Sequence, residues 1–184
     1  MKQILIAFVC CLLFIVSAAA QPAYIELLDR IAASRFRDSI LLDKSPDSQI
    51  VVISNQIAFN ELLENSSARS SAFLVMSAGW KQGRSGFILL KTCISAFNYT
   101  NDLQEEDALT IVTKSTSKTF PIKDYKFEKS SDKAIKRLCW SMDYESFSQL
   151  MKLKPVRYVI GSKQVVLSAQ TTDFLQDFNT IIEN

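Results

Sequence analysis

Side chains that commonly carry chemistry are unevenly supplied in this chain of 184 residues, which has no histidine and four cysteines. Without histidine there is no Ser-His-Asp or Cys-His nucleophile system, no imidazole general base, and none of the usual zinc or iron ligand sets. The cysteines, at positions 10, 11, 93 and 139, lack the Cys-x-x-Cys spacing that would rebuild a metal site. A hard cation held by oxygens is the remaining metal chemistry, at Asp102, Glu105, Glu106 and Asp107. That cluster lacks the glycine and alternating ligands of a calcium-binding hand loop, and a solvated acidic loop accounts for it.

A serine can use lysine as its base, and Ser-x-x-Lys occurs at Ser115 to Lys118 and at Ser130 to Lys133. The spacing recurs by chance in a chain rich in both residues, and its chemistry needs a helix with Ser-Asp-Asn and Lys-Thr-Gly nearby, which are absent. The stretch Gly79 to Gly86, Gly-Trp-Lys-Gln-Gly-Arg-Ser-Gly, offers amides and cations to an anion but lacks the Gly-Lys-Ser/Thr ending of a phosphate loop. It reads as a hairpin tip in which Trp80, Lys81 and Arg84 could meet a polar ligand or a protein partner. Paired carboxylates for glycoside chemistry cannot be chosen by spacing, because such partners meet only in the fold. No catalytic residue, metal ligand or cofactor is nominated, and the chain leans away from being an enzyme.

The elements that position these residues centre on Ser71 to Phe97, two apolar runs joined by the glycine-containing turn. From Gly86 to Phe97 both alternating sets are mostly apolar, the pattern of a central strand covered on both faces. Before it, Pro22, Tyr24, Leu27, Leu28 and Ile31 predict an amphipathic helix to about Arg37. Short strands are expected over Ile40 to Leu42 and Ile50 to Ile53, while Ile57 to Leu63 fits a helix or a strand. Beyond it come a strand over Ala108 to Thr113 and a weaker one over Lys118 to Phe127, where Pro121 argues for an edge. In Ala134 to Met142, Ala134, Leu138, Trp140 and Met142 face inward, and Arg137 and Ser141 face outward. Asp143 then caps a helix carrying Tyr144, Phe147, Leu150 and Met151, and a second hairpin turns at Gly161-Ser162-Lys163. Ser168 caps a C-terminal helix whose Phe174, Leu175, Phe178, Ile181 and Ile182 form one apolar stripe.

At the other end, Lys2, the apolar run Ile4 to Val16, and Ser17-Ala18-Ala19-Ala20 form a secretory signal, residues 1–20, cleaved before Gln21. Removing it leaves residues 21–184 as a single exported globular domain and takes the formal charge from +2 to +1. No later run approaches the length of a membrane helix, and a chain this close to neutral has no global field for nucleic acid. Export leaves Cys93 and Cys139, which are expected to form a disulfide. Asn65-Ser66-Ser67 and Asn98-Tyr99-Thr100 are glycosylation acceptors only in a eukaryotic secretory pathway.

These readings predict an α+β single domain, a mainly antiparallel sheet or sandwich of about six to eight short strands with N-terminal and C-terminal helices. The expected role is an exported, periplasmic or secreted, non-catalytic binding or envelope-associated module whose partner is a protein or envelope component. Two alternatives are an exported hydrolase using carboxylates or a Ser-Lys pair, and a secreted inhibitor or effector acting on a partner protein.

Overall fold

A computed structural model describes residues 25–44, 49–63, 70–81, 87–98, 103–129 and 134–183, so the expected signal segment and Asn65 lie outside the described residues. The expected central hairpin is there: β4 (Ser71–Lys81) pairs antiparallel with β5 (Phe87–Phe97), with Ser71 opposite Phe97. The flanking strands are β1 (Ile40–Lys44), β2 (Gln49–Ser54), the two-residue β3 (Ile57–Ala58), β8 (Ile122–Lys129) and β9 (Ala134–Asp143). Together they form a seven-stranded sheet in the order β1-β2-β4-β5-β9-β8, with β3 also pairing with β4. A second, four-stranded sheet runs β11-β10-β6-β7, from β6 (Leu109–Thr113), β7 (Ser117–Phe120), β10 (Pro155–Ile160) and β11 (Lys163–Val166). All described pairings are antiparallel, so the architecture is α+β.

Period-2 alternation sorts the large sheet into two faces. Ala72, Leu74, Met76 and Ala78 of β4, Leu90, Thr92, Ile94 and Ala96 of β5, and Leu138, Trp140 and Met142 of β9 are buried on the inner face. The hydroxyl of Thr92 is accommodated there by donating to Met76 Sδ at 3.1 Å. The expectation that β5 is covered on both faces is corrected: it is central in strand order, but Lys91 is exposed and Cys93 and Phe97 are half-buried. Apolar residues on the outer set misled the reading, because cysteine and phenylalanine tolerate a half-open position. Ala134 is half-buried, and the inward position beside it is taken by Lys136. Its ammonium donates to the Leu103 carbonyl and lies 5.6 Å from the Phe127 ring centroid, so the buried charge keeps both a hydrogen bond and a cation–π contact.

Pro121 divides the expected single strand into two. Lacking an N–H for a ladder, it sits between β7, an edge of the small sheet, and β8, an edge of the large one, and the chain changes sheets there. The segment left open between helix and strand is both β3 and a 3-10 turn, Asn60–Leu63. Gly161 turns β10 into β11 at φ +56°, and a side-chain carbon there would lie 2.1 Å from Asp107 Oδ1, so a larger residue would be strained and would have to displace that carboxylate.

Among the described residues, three α-helices accompany the sheets. Residues 25–33 form α1, which ends before the expected Arg37; of its predicted stripe Leu27 is buried and Ile31 half-buried, but Leu28 is exposed, and Pro22 and Tyr24 lie outside the described residues. In α2 (Tyr144–Lys152), Asp143 is the N-cap and accepts from Ser146 N, while Phe147, Leu150 and Met151 are buried. In α3 (Ala169–Ile181), Ser168 caps by accepting from Thr171 N, and all five residues of the stripe are at most 1% exposed. α2 touches β5 and β9 of the large sheet, β6 of the small sheet and α3, so both inner faces and the helices share one core. α1 is tied alongside α3 by Arg30 donating to the Ile181 carbonyl at 3.3 Å, and the turn after α1 by an edge-to-face contact of Phe36 with Phe174.

Candidate functional site

The expected binding residues contribute little that can be located. Trp80 and Lys81 end β4, but their side chains, and the whole of Arg84, lie outside the described residues. Cys93 and Cys139 are brought together as expected: they face each other directly across the β5–β9 ladder, Cα atoms 4.1 Å apart, and are disulfide-bonded. The close Cα approach is that of a non-hydrogen-bonded antiparallel pair, where opposing side chains are nearest.

The disulfide marks the middle of the outer face. One continuous row runs Val75, Cys93, Cys139, Asp124 across β4, β5, β9 and β8. On one side the next row places Lys91 opposite Ser141, and on the other Ser95 opposite Arg137. Lys123 sits at the irregularity between Ile122 and Asp124, where the β8–β9 register shifts. Such a bulge re-aims a side chain that regular alternation would send to the other face. These residues, with Gln56 from the β2–β3 connection, line a depression of about 400 Å³. Its floor is closed, with Ser95 at 5% and Cys139 at 7% exposure, and its rim of Lys91, Lys123, Asp124 and Arg137 is exposed. Ser141 Oγ is buried there without a hydrogen-bond partner. A shallow bowl holding three cations against one carboxylate, with hydroxyls in its floor, favours a ligand bearing negative charge and hydrogen-bonding groups.

Part of this surface was signalled in the sequence, with the expected Cys93–Cys139 pairing as its anchor. Lys91, Cys93 and Ser95, like Arg137, Cys139 and Ser141, share a face by alternation. Only the pairing of Cys93 with Cys139 sets the two triplets side by side, and nothing in the local sequence announces the β8 bulge that adds Lys123.

The Ser-Lys geometry differs from the sequence motif. Ser130 and Lys133 lie outside the described residues, while Lys118 reaches away from Ser115 to the hydroxyl of Ser146 and, at 3.7 Å, to Asp143. Ser146 Oγ in turn donates to Asp143 Oδ2 at 2.7 Å. Partial burial raises the pKa of Asp143, but the hydroxyl and amide of Ser146 and the charge of Lys118 outweigh it and hold the carboxyl below its ordinary value. Lys118 donates to Ser146 instead of accepting from a serine hydroxyl, the reverse of what a base would do. The cluster acts as an extended N-cap of α2.

Of the acidic cluster, Asp102 lies outside the described residues and Glu105 and Glu106 are exposed. Asp107 closes a local turn by accepting from Gln104 N at 2.6 Å, and its carbonyl accepts from Trp140 Nε1 at 2.9 Å. Among the described residues, no group of three or more metal-ligating side chains is assembled, and no helix is long and apolar enough to cross a membrane. No protein-family model, curated protein or solved structure matches this chain.

Proposed function

We propose that the protein is an exported, non-catalytic binding module, and that its ligand surface is the outer, disulfide-bearing face of the seven-stranded sheet. The observation that carries this reading is the depression itself, where exposed charges from β5, β8 and β9 surround a closed floor. A rigid sheet held by nine facing residue pairs between β5 and β9 presents those charges without the ordering cost of a loop. Export supplies the oxidising setting in which such a disulfide persists.

The test is comparative capture. The mature chain, immobilised, is exposed to its own envelope fraction or medium alongside a Lys91→Glu/Arg137→Glu variant whose melting temperature matches. The reading expects a component retained by the parent and lost from the variant. Equal retention by both proteins would place binding elsewhere on the molecule and remove the outer face from consideration.

A further inference from the structure

We infer, building on the outer face as the binding surface, that its occupant is an extended acidic segment of a partner polypeptide, laid across the Cys93–Cys139 row and held by Lys91, Lys123 and Arg137. Charge is the first argument. Among the described residues Lys91 and Lys123 enter no ion pair, and Asp124 is the sole carboxylate lining the depression. Arg137 acts on the neighbouring Glu128, and Asp124 lies among the cations, so the rim keeps a net positive excess carried by Lys91 and Lys123.

Spacing is the second argument. Lys91 and Ser95 lie four positions apart on β5, about 13 Å at strand rise, and Arg137 faces Ser95. That spacing of the anchoring positions matches carboxylates at positions i and i+4 of an extended segment, which are also about 13 Å apart. The cations thus fit a ligand with several spaced negative groups. Asp124, set in the middle row, opposes an unbroken run of phosphates, but can accept from a peptide N–H or a basic side chain between the acidic ones. The exposed amide of Gln56 supplies a donor and an acceptor that suit a peptide backbone.

The experiment uses the mature protein and a fluorescent peptide, Glu-Ser-Glu-Ser-Glu-Ser-Glu, read by anisotropy. Saturable binding should weaken at least about tenfold in Lys91→Glu and in Arg137→Glu, with less than about a twofold effect from Lys114→Glu, the same charge change on an exposed turn of the small sheet. Raising sodium chloride from about 50 mM to about 500 mM should weaken it further, since exposed charges are screened over that range. Absence of peptide binding overturns the acidic-segment inference, as does equal or better competition by inorganic phosphate or by a single-stranded oligonucleotide of matched charge. If the peptide fails while capture from the envelope still depends on Lys91 and Arg137, the face survives and the ligand class falls. Peptide binding that Lys91→Glu and Arg137→Glu leave intact overturns both.

Discussion

Glu61 caps a helix that begins more than a hundred residues later: its Oε1 accepts from Ser168 N at 3.0 Å and from the Thr171 hydroxyl at 2.6 Å. The 3-10 turn carrying Glu61 is thereby fixed to the N-terminus of α3, where a negative charge also meets the positive end of the helix dipole. Partial burial raises the pKa of this carboxyl, but the bonds from Ser168 and Thr171 outweigh it and hold the pKa below its ordinary value of 4.5. A lowered folded pKa means stability that is present above the unfolded value and lost as pH falls through the folded one. Glu61→Ala should therefore cost about 1 to 2 kcal/mol at neutral pH. The gap between its urea midpoint and the parent's should narrow below pH 4.5. A gap that stays constant down to pH 3 would show that the charge of Glu61 is not what holds α3.

Long-range links of this kind explain how far the sequence could be read. Asp143 and Ser168 were legible as caps because a cap and its helix are local, and the α3 stripe was legible because Phe174, Leu175, Phe178, Ile181 and Ile182 repeat at helical spacing. The depression was not, because its residues come from β5, β8, β9 and the β2–β3 connection, whose register local pattern does not set. Lys136 went unread for another reason: alternation puts it inside with Leu138 and Trp140, and only the Leu103 carbonyl and the Phe127 ring make that position tolerable for an ammonium. The division into two sheets was half legible: one sheet or a sandwich fitted the pattern, and Pro121 signals an edge without saying that the chain leaves one sheet for another.

Tyr158 gives a second test, in the core. It is fully buried on β10, beside Phe59, and its hydroxyl has no hydrogen-bond partner. Burial pushes its pKa above the ordinary tyrosine value, which keeps the phenol neutral at all physiological pH. An unpaired buried hydroxyl is a desolvation cost without return, so Tyr158→Phe should be neutral or raise stability by about 1 kcal/mol. Thermal melts of the two proteins decide it. A loss above about 1 kcal/mol would mean that the hydroxyl is satisfied, for instance by an internal water.

The disulfide makes a third prediction. Cys93 and Cys139 join strands already paired from Leu89 opposite Asp143 to Phe97 opposite Ile135, so the ladder does not depend on the bond. Its contribution is to the unfolded chain, where closing residues 46 apart removes entropy worth about 4 kcal/mol. Mass spectrometry of the protein should show a gain of about two daltons on reduction, the two hydrogens taken up per bridge, with Cys93 and Cys139 alkylated only afterwards. A Cys93→Ala/Cys139→Ala variant should keep the parent's β-sheet circular dichroism while its urea midpoint falls. An unchanged midpoint would show that the cross-link adds nothing.

The last prediction concerns α3. Phe174, Leu175, Phe178, Ile181 and Ile182 are buried at 1% exposure or less and pack into the same cluster as Leu109, Ile111, Tyr158 and Ile160 of the small sheet. Burial of each is worth about 1.5 to 3 kcal/mol, against a stability of about 5 to 15 kcal/mol for a whole domain. Polar ties add to the packing: Arg30 of α1 donates to the Ile181 carbonyl, and Gln176 Nε2 donates to the Met151 carbonyl at 3.1 Å, joining α3 to both other helices. A chain ending at Ser168 should show no cooperative melt and should bind hydrophobic dyes. Phe178→Ala, a smaller lesion in the same stripe, should stay folded but lose about 3 to 5 kcal/mol. A truncated protein that melts near the parent's temperature would mean that the core closes without α3, leaving the helix to serve as a detachable surface.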